Sequence, residues 1–190
     1  MKDRIPVKRF EKTVMFELLD FEALDDEEKA AVSAALEAQK KSEDLKFQVG
    51  AAALAFDGTM VSTHNDIPGP HGHAEQRVLS KLYTILPAGE KKLKLLAMAG
   101  AMPGEEVVRT DKPYTAEVGL DDVEWGKPCP KCLEYIHDRT ANVPDVKILS
   151  VAATGQVMRT TLRSLLTSPH TSVQVPLDRW SSPAEENHGK

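Results

Sequence analysis

The sequence predicts an α/β fold in which helices pack against a central sheet of about five strands. Three observations predict it. A long alanine-rich helical segment opens behind a start signal at Asp25, two further apolar helical runs begin behind Pro70 and Pro128, and short β-type stretches alternate with these helices.

Asp25 and Glu28 stand at the spacing of an N-cap and its N3 partner, and Ala30, Ala31, Ala34, Ala35 and Ala38 are strong helix formers, so a helix is expected over about 25–44. The run from Phe47 to Phe56 reads as a strand, Asp57-Gly58 as a tight turn and Thr59 to His64 as the returning strand. Gly50 and the alanines around it let a ligand or another backbone approach closely. After a loop over 65–72, the apolar residues Val78, Leu79, Leu82 and Ile85 predict a helix to about Leu86, and Leu93 to Ala99 reads as a buried strand. Turn residues and charges dominate 100–127, a long excursion of the kind that is often functional or mobile. Pro128 and Pro130 then precede a helix to about Arg139. Val146 to Ala152 and Gln156 to Thr160 read as the last strands, with Thr154-Gly155 between them and a short helix over Leu162 to Leu166 behind them. The organisation expected is an N-terminal arm over 1–24, one domain over 25–176 and a polar tail over 177–190.

Composition narrows the class. With 190 residues, 41% hydrophobic and 28% charged, the chain is long enough for a proper core and has the balance of a soluble globular protein. There is no apolar run of membrane-spanning length, and Met1 to Arg9 lacks the apolar core of a secretory signal, so a cytoplasmic setting is expected. The 2 cysteines argue against a disulfide scaffold. A net charge of -5 argues against strong nucleic-acid binding unless positive charge is concentrated locally. Lys2, Arg4, Lys8, Arg9 and Lys12 form one such arm, whose simpler reading is a solvated terminus; the excursion is acidic, and its Tyr114 and Trp125 either stack a base or pack on each other.

The chemistry is concentrated in two short stretches, His73-Ala74-Glu75 and Pro128-Cys129-Pro130-Lys131-Cys132. A C-x-x-C on its own is also compatible with a redox pair, a disulfide or half of a structural zinc site. No second C-x-x-C or H-x-x-x-H accompanies it, and the other histidines are not at ligand spacing, with His71 the nearest rival. His73, Cys129 and Cys132 supply three donors, and catalytic zinc sites use three protein ligands and keep the fourth position for water. With two thiolates and a neutral imidazole such a centre is formally neutral. On a helix, side chains two residues apart diverge by about 200°, which favours Glu75 as a proton carrier over Glu75 as a further ligand. Both stretches sit at predicted helix starts, whose positive dipole ends favour thiolate over thiol at Cys129 and Cys132.

This H-x-E plus P-C-x-x-C pattern is that of the zinc-dependent deaminases. The likeness extends further. Phe47-Gln48-Val49-Gly50-Ala51-Ala52, Asp57-Gly58 and Asn65 resemble the opening hairpin of the nucleoside-salvage cytidine deaminases, and Val146 to Ala152, Gly155 and Thr161 to Leu166 resemble their closing strands and short helix. The resemblance covers about Ala30 to Ser168. It implies a three-layer α/β/α sandwich around a mixed, about five-stranded sheet and a Zn2+ cofactor held by His73, Cys129 and Cys132, with Glu75 as the catalytic proton carrier. It also implies that Phe47 borders the base, Asn65 bonds a ribose hydroxyl, and the Ala74 backbone and Glu75 read the pyrimidine edge. Gln76 after the glutamate resembles the dimeric members. The partners implied are a small pyrimidine nucleoside and other copies of the chain, as a homo-oligomer (dimer or tetramer).

The chain departs from the family at Ile67, where a sugar-binding glutamate is usual, and in the length of the 100–127 excursion. The reaction expected is hydrolytic deamination of cytidine or deoxycytidine to the uridine counterpart plus ammonia. Two alternatives stand beside it: action on cytosine in single-stranded DNA or RNA or on a modified or antibiotic nucleoside, and a non-catalytic zinc-stabilised binding module.

Overall fold

The computed structural model describes residues 16–66, 72–87, 92–101, 128–140, 146–152 and 155–166. His71, Ile67, Tyr114, Trp125, the basic cluster before residue 16, most of the excursion and the 177–190 tail lie outside them.

The chain enters the fold through a short strand β1 (Glu17–Leu19) and one 3-10 turn (Phe21–Ala23), and then forms α1 (Asp26–Gln39). The start of α1 is a capping box: the Glu28 N–H donates to Asp25 Oδ1 at 2.8 Å, and the Asp25 N–H donates to Glu28 Oε2 at 3.1 Å. Strands β2 (Gln48–Ala55) and β3 (Met60–His64) make the predicted hairpin, turning at Gly58, whose φ of 88° suits glycine. Next come α2 (Ala74–Ile85), β4 (Leu93–Ala101), α3 (Pro130–Arg139), β5 (Lys147–Val151), β6 (Val157–Thr161) and α4 (Leu162–Leu166).

The sheet runs β1-β6-β5-β4-β2-β3, with β4 and β5 parallel and every other pairing antiparallel. Alternation along the strands divides the core in two. Ala52 and Leu54 of β2, Leu95, Ala97 and Ala99 of β4, and Leu149 and Val151 of β5 pack with Ala31, Val32 and Ala35 of α1. Ala51 and Ala53 of β2, Leu96 and Met98 of β4, and Ile148 of β5 pack with Val78 and Leu82 of α2, Leu133 and Ile136 of α3, and Leu162 of α4. Helices on both faces of a mixed sheet give the expected three layers. A register shift where Leu54 and Ala55 meet Leu95 and Leu93 breaks the alternation, which is why Leu93 and Leu96 share a face.

Four expectations are corrected. Among the described residues the sheet has six strands, not about five, because Glu17–Leu19 of the presumed arm pairs antiparallel with β6; three residues at a sheet edge carry too little local pattern to be read. Helix α1 stops at Gln39 and not near residue 44, because Ser42 and Asp44 turn the chain: the Asp44 side chain accepts the N–H groups of Lys46 at 2.8 Å and Phe47 at 3.2 Å. Strand β4 continues to Ala101, two residues into the expected excursion, held by Val49↔Gly100 and Gln48↔Ala101 pairing. Strand β6 lies one residue downstream of its expected position, over Val157–Thr161. No helix among the described residues is long and apolar enough to cross a membrane.

Candidate metal centre and active site

Two helices deliver the reactive side chains from equivalent positions. His73 is the N-cap of α2, and Cys129 is the N-cap of α3 with Pro130 behind it in the first turn. Pro130 suits that place because its ring fixes a helical φ and the N–H it lacks would have had no partner. Cys132 follows one turn on, buried, so that the C-x-x-C spacing returns its sulfur to the side of Cys129. The helix-start positions predicted for both halves of the motif are the positions found.

The three donors converge. His73 Nδ1 is 3.7 Å from Cys129 Sγ and 3.4 Å from Cys132 Sγ, and the three ligand atoms all lie within 4.8 Å of one another. A tetrahedral zinc with usual Zn–N and Zn–S lengths would separate nitrogen from sulfur by about 3.5–3.6 Å. The two distances bracket that value, and one imidazole nitrogen facing two sulfurs is a donor set suited to a borderline-soft cation. Among the described residues this is the one His/Cys/Asp/Glu group that meets the spacing a metal requires. His137, the nearest histidine in sequence to the cysteines, turns to Asp138 instead, at 3.1 Å.

Glu75 lies in the first turn of α2 and is 5% exposed. Burial raises its carboxyl above the usual range, while its own backbone N–H, His73 and a contact with Cys132 pull the other way and do not cancel the rise. Burial also pushes the Cys132 thiol up, reinforced by Glu75 and Cys129. A buried carboxyl that resists ionisation, two residues after His73, can hold and release a proton there. A metal ion would oppose the rise at sulfur and favour thiolate. The N–H groups in the first turns of α2 and α3, which have no acceptor within their own helices, also place positive partial charge beside the donors.

The remaining sequence-predicted residues form two places. Ala74 is buried at the first position of α2, between His73 and Glu75. Phe47 and Asn65 come together where α1 hands over to β2 and where β3 ends. Asn65 Oδ1 accepts Ser42 Oγ at 2.6 Å and the Val49 N–H at 2.7 Å, while its Nδ2 donates to Asp44 Oδ2 at 2.9 Å and to the Phe47 carbonyl at 2.8 Å. The Asp66 N–H, one residue on, donates to the carbonyl of Gly72 at 3.0 Å, which ties this second place to the residue before His73. Arg77 of α2 reinforces the tie through Asp66 Oδ2 at 2.5 Å. Ser42 and Asp44 escaped the sequence reading because they fell inside the expected helix; the Ser-Glu-Asp run was the available turn signal. Gln76, next to Glu75, is buried with its Oε1 lacking a hydrogen-bond partner.

The class defined by this architecture is the cytidine deaminase-like α/β/α fold. Among solved structures, cytidine deaminase from Burkholderia pseudomallei is similar at a TM-score of 0.51 and 23% identity, over 73% of this chain and 95% of that one. Cytidine deaminase from Mycobacterium tuberculosis is similar at 0.49 and 21%, over 76% and 97% of the two chains, and that from Mycobacterium leprae at 0.46 and 21%, over 73% and 96%. The Burkholderia structure carries the comparison, and at that identity the likeness is one of fold. No protein-family model and no curated protein matches the sequence.

Proposed function

We propose that this protein is a zinc-dependent hydrolytic deaminase that converts cytidine or deoxycytidine, with water, to uridine or deoxyuridine and ammonia. One observation carries the proposal: the buried Glu75 carboxyl stands in the first turn of α2, two residues after His73, which belongs to a cluster of three donors spaced for zinc. A structural zinc site has no use for that carboxyl. The solved cytidine deaminases of the same fold supply the substrate class.

In this reading His73, Cys129 and Cys132 would hold the metal, and bound zinc would lower the pKa of a water toward neutrality. Glu75 accepts the proton that this water gives up and passes it to the pyrimidine N3, which makes C4 open to attack. The water oxygen bonds to C4, and Glu75 transfers a second proton from that oxygen to the exocyclic amine. The C4–N bond then breaks, ammonia leaves with the electron pair, and the carbonyl of the uracil ring forms. The Ala74 N–H, at the start of α2, is suited to the pyrimidine edge as a donor that the helix itself does not use. Phe47 borders the base, and the Asn65 segment faces the sugar.

The test is ammonia release from cytidine, deoxycytidine, cytidine monophosphate and a cytosine oligonucleotide, with zinc content measured on the same sample. Turnover of the free nucleosides is expected. Turnover of the oligonucleotide alone moves the substrate to the polymer, and zinc without turnover of any of them leaves a binding module.

A further inference from the structure

We propose that Asp66 and Arg77 are a positioning pair for His73: their ion pair closes a circuit of bonds around the His73 backbone and holds the imidazole in place for the metal. The inference rests on the metal-binding part of the reading above and adds to it two residues outside the donor set.

The three donors are not held equally. Cys132 is fully buried and Cys129 half-buried, whereas His73 is exposed and, although it is the N-cap of α2, its side chain makes no capping bond to the helix. Packing constrains the sulfurs and leaves the imidazole free, so the orientation of His73 depends on its backbone. The His73 carbonyl accepts the Arg77 N–H at 3.1 Å, the first bond of α2. The preceding carbonyl, that of Gly72, accepts the Asp66 N–H at 3.0 Å. The residues that donate these two bonds are joined to each other, Arg77 Nη1 to Asp66 Oδ2 at 2.5 Å.

Both peptide groups that flank the His73 Cα are therefore pinned, and because each is planar, pinning both fixes the φ of -72° and ψ of 135° between them. The direction in which the imidazole leaves the chain follows. One end of the circuit is firm, since Asp66 follows Asn65 and its four hydrogen bonds. The ion pair carries that firmness onto α2. Arg77 is 33% exposed and Asp66 64%, so water and salt screen the pair, and its weight in overall stability is small. It acts instead on the one donor that packing leaves free. A pair of this exposure is worth up to about fivefold in an equilibrium constant, below the ~10–100-fold typical of groups bonded directly to a metal ligand.

The experiment is the zinc affinity of the full chain, measured by competition with a chromogenic chelator at low salt and at about 0.5 M salt, with urea unfolding of the metal-free protein beside it. The variants are Asp66→Asn, Arg77→Gln, the two together, and Asp66→Glu. At low salt each of the first two is expected to weaken zinc binding by about threefold to fivefold. The double variant is expected to lose no more than either single one, because all three lack the same bond. High salt is expected to shrink these losses below about twofold, and Asp66→Glu, which restores the charge, to stay within about twofold of the original. The unfolding midpoint of the metal-free chain is expected to stay where it is. Unchanged zinc affinity in both single variants overturns the inference and leaves the deaminase reading standing. So does a double variant whose loss is the product of the two single losses. Weakening that persists at high salt, is not rescued by Asp66→Glu and comes with a lower unfolding midpoint makes the pair a general support of the fold, and overturns the inference too. An original protein that binds no zinc removes the deaminase reading first, and this inference with it.

Discussion

A methyl group added to Gly50 would stand 2.0 Å from the carbonyl oxygen of Ala35 and 2.2 Å from the backbone nitrogen of Gln39. Helix α1 therefore lies directly on the backbone of β2, and no side chain fits between them. Both contacting atoms are backbone and cannot turn aside. Gly50→Ala is expected to destabilise the fold by about 3 kcal/mol or more, at the upper end of overpacking effects. Urea unfolding checks this, and an unchanged midpoint would mean that α1 is not seated as described.

Glu28 is fully buried, yet it binds Lys147 Nζ at 2.6 Å and Arg159 Nη1 at 3.1 Å through the same oxygen. It joins the start of α1 to β5 and β6. Glu28→Gln leaves these cations without their shared charge. Breaking a buried ion pair costs about 3–5 kcal/mol, and because Lys147 and Arg159 are about a third exposed, the lower end, about 3 kcal/mol, is expected by chemical denaturation.

The same group sets an acid limit. Burial alone would raise the Glu28 carboxyl, but bonds from Lys147, the Asp25 N–H and Arg159 outweigh it and hold the carboxyl below its ordinary value of 4.5. The Glu28 N–H bond holds Asp25 below its ordinary 3.8, against a smaller effect of burial, with Lys147 assisting. A carboxyl lowered in the folded state contributes stability that is present above its unfolded pKa and is lost as the pH falls through the folded one. Unfolding free energy measured from pH 6 down to pH 2 is therefore expected to fall most below about pH 4. Glu28→Gln is expected to flatten that fall, and an equal slope in the variant would show that Glu28 does not carry it.

The candidate donors were legible because their information is local: Cys129 and Cys132 are one helical turn apart, and His73 opens a helix whose apolar face is evident. Asn65 was legible as a position but not as a hub, because its four partners lie in one stretch, 42–49, that meets the end of β3 only in the folded chain. Asp44 was hidden by the favourable helix pattern before it, and β1 by its dependence on β6 for every backbone bond. The layers themselves followed from alternation, since Ala51 and Ala53 face α2 while Ala52 and Leu54 face α1.

Cys132→Ser removes a buried sulfur from the donor set. Zinc per chain, measured by elemental analysis after dialysis, is expected to drop from about one to well below half, because three protein ligands are the usual minimum of such a centre. Thiol titration gives an independent check: the two cysteines should react freely only after chelation. An oxidised Cys129–Cys132 pair in the freshly purified protein would favour the redox reading.

The most direct test of the central claim is the zinc content and ammonia release of Glu75→Ala, measured side by side with the original protein on cytidine. About one zinc per chain is expected in both, with deamination reduced by at least the ~10²–10⁴-fold that a proton carrier supplies. Zinc retained together with near-original turnover would contradict the claim, since the buried carboxyl beside Cys132 would then have no part in the reaction.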